Sequence, residues 1–149
     1  MKRVITILAL AAIFLSACGA GDIEVHEPWA RAALMGGNSA AYMMIHNHSA
    51  SADELIGASS DIADAVEIHL SQMGPNGEMQ MLPQESVSLA AGDEVSFQPG
   101  GYHIMLIGLA KDLKAGDTFQ VVLHFKTHAD ITLEVTVQEM EGMDHQHMP

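Results

Sequence analysis

The chain has a single cysteine, Cys18. No disulfide can close within it, and neither a thiolate zinc site nor a thioredoxin-like redox pair can form. A blue-copper electron carrier is excluded as well, because that site needs a cysteine ligand. Basic residues are scarce, six Lys and Arg against nineteen Asp and Glu, for a formal charge of −13. Such a surface repels nucleic acid, whose binding depends on neutralising phosphates. It attracts cations and steers toward basic partner surfaces. Long apolar runs are also missing. The one from Val4 to Leu15 falls short of the roughly 20 residues a spanning helix needs. No G-x-S-x-G, H-E-x-x-H, C-x-x-C or G-x-G-x-x-G pattern occurs, and no pair of carboxylates stands at a catalytic spacing. The chain reads as a non-enzyme.

The basic start Met1-Lys2-Arg3, the apolar run and the small residues Ser16 and Ala17 describe a secretory signal. Leu15-Ser16-Ala17-Cys18 is also similar to the bacterial lipoprotein processing box. On that reading residues 1–17 are a lipoprotein-type signal peptide, and Cys18 is lipidated and becomes the mature N-terminus. The alternative is ordinary cleavage nearby, with Cys18 discarded or left free. The expected product is secreted across the inner membrane, stays in the periplasm or cell envelope and is anchored by lipid. Residues 18–22 form a linker, 23–138 a single domain and 139–149 a tail. Loss of Lys2 and Arg3 with the signal takes the charge to −15 and leaves Arg31, Lys111, Lys114 and Lys126 as the basic residues.

Within the domain the pattern is of short alternating segments separated by turn residues. Ile23 to Ala32, Ser39 to His46, Val66 to Leu70, Phe119 to Lys126 and Ile131 to Gln138 read as strands. Val87 and Leu89, and then Val95 and Phe97, flank an Ala91-Gly92-Asp93 turn. Such spacing predicts an all-β sandwich or barrel. Ala52 to Leu70 is ambiguous, since Ile62, Val66 and Leu70 recur four apart as in a helix. Its second half fits period two better and is assigned to strand.

Four residues stand out as soft metal ligands: His69, Met81, His103 and Met105. Two imidazoles and two thioethers suit Cu(I) better than zinc or oxygen-seeking ions. In an extended strand His103 and Met105 share one face while Tyr102, Ile104 and Leu106 share the other, so one face reads as core and the other as an exposed ligand pair. His69 lies opposite the apolar face of Val66, Ile68 and Leu70. Gly74-Pro75-Asn76-Gly77 predicts a hairpin that folds His69 and Met81 together.

The order His69, Met81, His103-x-Met105 resembles the periplasmic copper chaperones of the PCu(A)C type. Pro28-Trp29-Ala30-Arg31-Ala32, Ala40-Ala41-Tyr42-Met43, Leu55-Ile56-Gly57-Ala58-Ser59-Ser60 and Pro99 to Leu106 resemble them too. The similarity covers roughly Ile23 to Val137. It implies a cupredoxin-like Greek-key β-sandwich that binds Cu(I) and carries it toward cytochrome oxidase assembly, with an oxidase subunit or another assembly chaperone as recipient. A copper buffer or resistance protein without a dedicated recipient is the alternative. By position His69, Met81, His103 and Met105 inherit the ligand roles. Where some members carry Met after the first histidine, this chain has Leu70; Met79 or Met73 is the substitute to look for.

Met43 and Met44 read as core, His26 and His124 as surface or hydrogen-bonded histidines, and His128 as a turn residue. His46-Asn47-His48 has a His-x-His form that, on a β-sandwich, is similar to copper-zinc superoxide dismutases. That site needs more histidines, an aspartate and a disulfide, and the disulfide cannot form here. In the tail, Met140, Met143, His145, His147 and Met148 lie beside Glu139, Glu141 and Asp144. This is a candidate second site for Cu(I) or Cu(II).

Overall fold

The computed structural model describes residues 22–139. The signal segment, Cys18 and the tail from Met140 onward lie outside the described residues. Among the described residues every regular element is a strand. These are β1 Ile23–Arg31, β2 Ser39–Asn47, β3 Asp53–Ser59, β4 Ala63–Met73 and β5 Met79–Gln84, then β6 Val87–Leu89, β7 Glu94–Phe97, β8 Tyr102–Leu109, β9 Thr118–Phe125 and β10 Ile131–Gln138. The helix alternative for Ala52 to Leu70 does not form. Ser60 and Asp61 separate two strands, and the pairing of β4 with β8 over seven register positions outweighs the weak four-residue period.

The strands form one hydrogen-bonded ladder in the order β5-β4-β8-β7-β2-β1-β10-β9-β3-β6, which folds over on itself. Ile45, Ile104 and Leu106 from one half pack with Leu55, Val121, Leu123 and Val135 from the other. Each is fully buried, which stabilises the fold by about 1.5–3 kcal/mol per large side chain. β1 joins the halves: it pairs antiparallel with β2 and parallel with β10. Its register with β2 shifts between His26 and Trp29, where Glu27 has a φ of 50°. A non-glycine residue in that region marks a bulge. Beyond it Trp29, Ala30 and Arg31 reach β10.

Two side-chain expectations change. Met43 is buried as expected, but Met44 is only half-buried, because it lies on the opposite face of β2, across from His26. His103 was expected on an exposed face and is 3% exposed. β2 pairs with β8 at Ser39, Ala40 and Ala41, and Tyr42 of β2 brings its ring within 6.3 Å of the His103 ring. The face away from the main core is therefore covered at this point.

Candidate functional site

In the β4–β8 ladder His69 lies directly across from His103. Residues opposite each other in an antiparallel pair project from the same face, and the two rings meet edge-on at 5.7 Å. Two register positions further along, and so on the same face, Met105 faces Glu67. The expected β4–β5 hairpin forms and sets Met81 across from Ser71 and Met79 across from Met73. With period two along β4, His69, Ser71 and Met73 share a face, so all four candidate ligands belong to one sheet surface. Met81 is diagonal to His69 rather than opposite it; His69 itself faces Pro83. A cleft of about 300 Å³ is lined by Met79, Met81, His103 and Met105 together with Tyr42 and Arg31, and His69 is not part of its lining.

Each imidazole has one nitrogen engaged. The Nε2–H of His69 donates to Glu67 Oε2 at 2.7 Å, and its Nδ1 is buried without a hydrogen-bond partner. His103 Nδ1 donates to the Gly101 carbonyl at 3.2 Å. In neutral rings this leaves a lone pair on His69 Nδ1 and another on His103 Nε2. Burial holds His103 below the usual histidine value; the Gly101 carbonyl opposes the shift, and the neighbouring His69 and Arg31 add to it. Neutral imidazole is the metal-ligating form. An orphaned buried nitrogen costs stability unless something fills the position. Two imidazoles and two thioethers are the donor set a soft monovalent ion would fill.

Aromatic and cationic groups back the cleft. Trp29 packs on Tyr42 at 4.6 Å, and the Arg31 guanidinium lies 5.4 Å over the Tyr42 ring. The burial of Tyr42 raises its phenol, with Arg31 opposing. The Leu70 departure has a structural meaning. Leu70 faces Tyr102, on the sheet surface away from the cleft, whereas Met79 lines the cleft and Met73 lies across from it.

Two polar clusters escaped the sequence reading. Glu24, His26 and His48 bring ligand atoms within 4.8 Å of one another. The period-two spacing of Glu24 and His26 was visible, but their meeting with His48 depends on the β1–β2 register. Ser59 Oγ, His124 and Asp130 form a hydrogen-bonded line with both links at 2.9 Å. It lies on the outer surface of the β3–β9 pair and accounts for His124 as a satisfied histidine. The expected turn residue His128 bonds Asp22 and receives support from Asp53.

The continuous ladder, with strands as its regular elements among the described residues, defines an all-β, cupredoxin-like sandwich with the PCuAC-type fold. It is similar to the copper-bound PCuAC domain from PmoF2, at 25% identity and a TM-score of 0.67 over 82% of this chain and 97% of that domain. It is also similar to Cu(I)-DR1885 from Deinococcus radiodurans, at 28% identity and a TM-score of 0.58 over 81% and 83%. The chain belongs to the family described as "Putative lipoprotein LpqE-like", whose model matches residues 23–137. A relative in sequence is "Putative lipoprotein Lxx21020" of Leifsonia xyli subsp. xyli (strain CTCB07), 28% identical over 123 residues, or 83% of this chain and 74% of the relative.

Proposed function

We propose that this protein is an extracytoplasmic Cu(I) metallochaperone that holds one copper ion through His69, Met81, His103 and Met105. It releases the ion by ligand exchange toward assembly of a cytochrome oxidase copper centre. One observation carries the reading: a cross-strand histidine pair, each ring with one lone pair open, shares a sheet face with Met81 and Met105. The copper-bound and Cu(I)-bound forms of the two similar structures support it. A site of neutral donors leaves copper its positive charge and exchangeable bonds, so an acceptor offering thiolates draws it off. Met81 is 57% exposed, and Met73 and Met79 are exposed beside it. That thioether edge is where an incoming acceptor would share the ion, while buried His103 would release it last.

The test is an anaerobic Cu(I) titration against a competing chelator. Met105→Leu keeps the apolar shape and removes the sulfur, so affinity should fall while the fold is kept. Unchanged affinity in both Met105→Leu and His103→Ala overturns the assignment. Zinc should bind weakly, since thioether is a poor ligand for it. Delivery differs from buffering in the phenotype of gene loss. Impaired oxidase activity at low copper supports delivery, and loss of tolerance at high copper alone supports a buffer.

Two proposals concern residues outside the described structure. Met140, Met143, His145, His147 and Met148 would form a weaker tail site for Cu(I) or Cu(II). Truncation after Gln138 in the same titration removes that proposal if stoichiometry is unchanged in both oxidation states. Cys18 would carry the lipid that holds the protein to a membrane, in keeping with the lipoprotein descriptions of the family and the relative.

A further inference from the structure

Glu24 and His26 stand two apart on β1 and so share a face. His46 of β2 is the register partner of Glu24, and His48 follows just beyond the strand end. That end is held firmly. Asn47 is fully buried, its side-chain amide donates to the carbonyls of Ser51, Leu89 and Ala90, and its oxygen accepts from the Ser49 amide. The His48 amide bonds the Asp22 carbonyl at 3.0 Å. His48 is thus fixed against β1 although it lies outside the ladder. The His46 ring stacks on that of His48 at 3.6 Å, and its own Nδ1 lies 4.0 Å from Glu94, which limits how the His48 ring can turn.

We propose that Glu24, His26 and His48 form a second metal site, separate from the His69–His103 pair, for a borderline divalent ion, with Cu(II) bound most tightly. Glu24 Oε2 lies 3.4 Å from His26 Nε2 and 3.2 Å from His48 Nε2. Donors about 2.0 Å from one ion stand about 2.8 Å apart when cis in the tetragonal geometry of Cu(II) and about 3.3 Å apart in a tetrahedron. Two of the three spacings, 3.4 and 3.2 Å, therefore need only a small inward shift of exposed side chains to close on a shared ion. Imidazole with carboxylate is a harder set than imidazole with thioether, and among divalent ions such nitrogen–oxygen sites favour Cu(II) over Zn(II). All three side chains are exposed, so an ion reaches them without opening the fold. The remaining coordination positions are open to water, as in a site that takes up and gives up its ion. The sandwich would then carry two copper sites of different oxidation-state preference on one molecule.

The test uses the full mature chain, its His26→Asn/His48→Asn double variant and Glu24→Gln. Each is titrated with Cu(II) and followed by electron paramagnetic resonance, and then with Cu(I) anaerobically. The double variant should bind one Cu(II) fewer than wild type and lose the signal component with two imidazole nitrogens. Glu24→Gln should weaken that component by about tenfold or more, the scale of losing a partner at a metal site. Cu(I) affinity should stay within about twofold in every variant, so this inference and the Cu(I) reading can fail separately. Tail histidines are present in all three proteins and cancel in the comparison. Equal metal-free melting temperatures show that the exposed substitutions leave the fold intact, and Glu24→Gln serves alone if the double variant melts lower. The same Cu(II) stoichiometry and spectrum in wild type and variants overturns the site.

Discussion

His69 and His103 face each other across one ladder, yet their surroundings give them different tasks. His103 is enclosed by β2 and tied to the Gly101 carbonyl, so its orientation comes from backbone and packing. His69 takes its orientation from one exposed carboxylate, Glu67. A carboxylate that accepts from the far nitrogen fixes the tautomer of a ligating histidine, and loss of such a partner typically costs about 10–100-fold in metal affinity. Glu67 also faces Met105, so it borders two of the four proposed ligands. Glu67→Ala should therefore lower Cu(I) affinity by about 10–100-fold, with the apo fold unchanged because the side chain is exposed. Competition against a Cu(I) chelator measures this. Wild-type affinity would mean that His69 is oriented by something other than Glu67. Arg31 would act in the other sense: its charge lines the cleft and would oppose a bound cation, favouring release over retention.

At the scale of elements, the start of β1 is clasped to the β9–β10 turn. His128 bonds Asp22 just ahead of β1, and the amides of Thr127 and His128 donate to Asp53 at the start of β3. Burial pushes His128 down, but the Asp22 carboxylate, the Ala129 carbonyl and Asp53 together raise it above the ordinary 6.5. The His128 hydrogen bond in turn lowers Asp22 below its ordinary 3.8. A histidine raised in the folded state contributes stability in full below its unfolded value, and the contribution fades as pH rises through the folded value. The aspartate's share needs a pH above its unfolded value. The clasp therefore acts between about pH 4 and 6.5 and weakens above that. His128→Asn should lower the melting temperature more at pH 5.5 than at pH 8.5; a loss that stays constant or grows toward pH 8.5 would falsify the clasp. None of these long-range partners was visible in the sequence. The strands were, because Ile131 to Gln138 or Val66 to Leu70 alternate with period two against a single core. That His103 and Met105 share a face was legible for the same reason, since His103-x-Met105 is itself a period-two signal. The burial of His103 was not, because its cover comes from Tyr42 on a strand some 60 residues earlier in the chain. Nor was the Glu24–His26–His48 cluster, because a bulge at Glu27 and the β1–β2 register place it.

The whole molecule has a direction set by β2. Ala40 and Tyr42, near its start, line the cleft, while Asn47 at its end pairs with Ile23, the first residue of β1. Seven residues of strand separate Ala40 from Asn47, about 23 Å at roughly 3.3 Å per residue. Cys18 lies four residues before Asp22, a tether of at most about 14 Å. With Cys18 lipidated as proposed, the end of the sandwich holding Ile23 and Asn47 would lie near the membrane, and the cleft proposed to hold Cu(I) would lie toward the far end. The strongly acidic chain would also be repelled by anionic lipid, so attachment would rest on the acyl chains, and stable anchoring takes two or more of them. Cys18→Ser should then move the protein from the detergent phase to the aqueous phase, or leave it unprocessed with Met1 to Ala17 attached. Cu(I) affinity of the released domain should match wild type within about twofold, because about 23 Å of strand separates the cleft from the end of the sandwich nearest the tether. Detergent phase partition, N-terminal analysis and the chelator titration read these outcomes on the same samples. A wild-type product that is soluble and begins beyond Cys18 removes the anchor, and with it this orientation of the cleft.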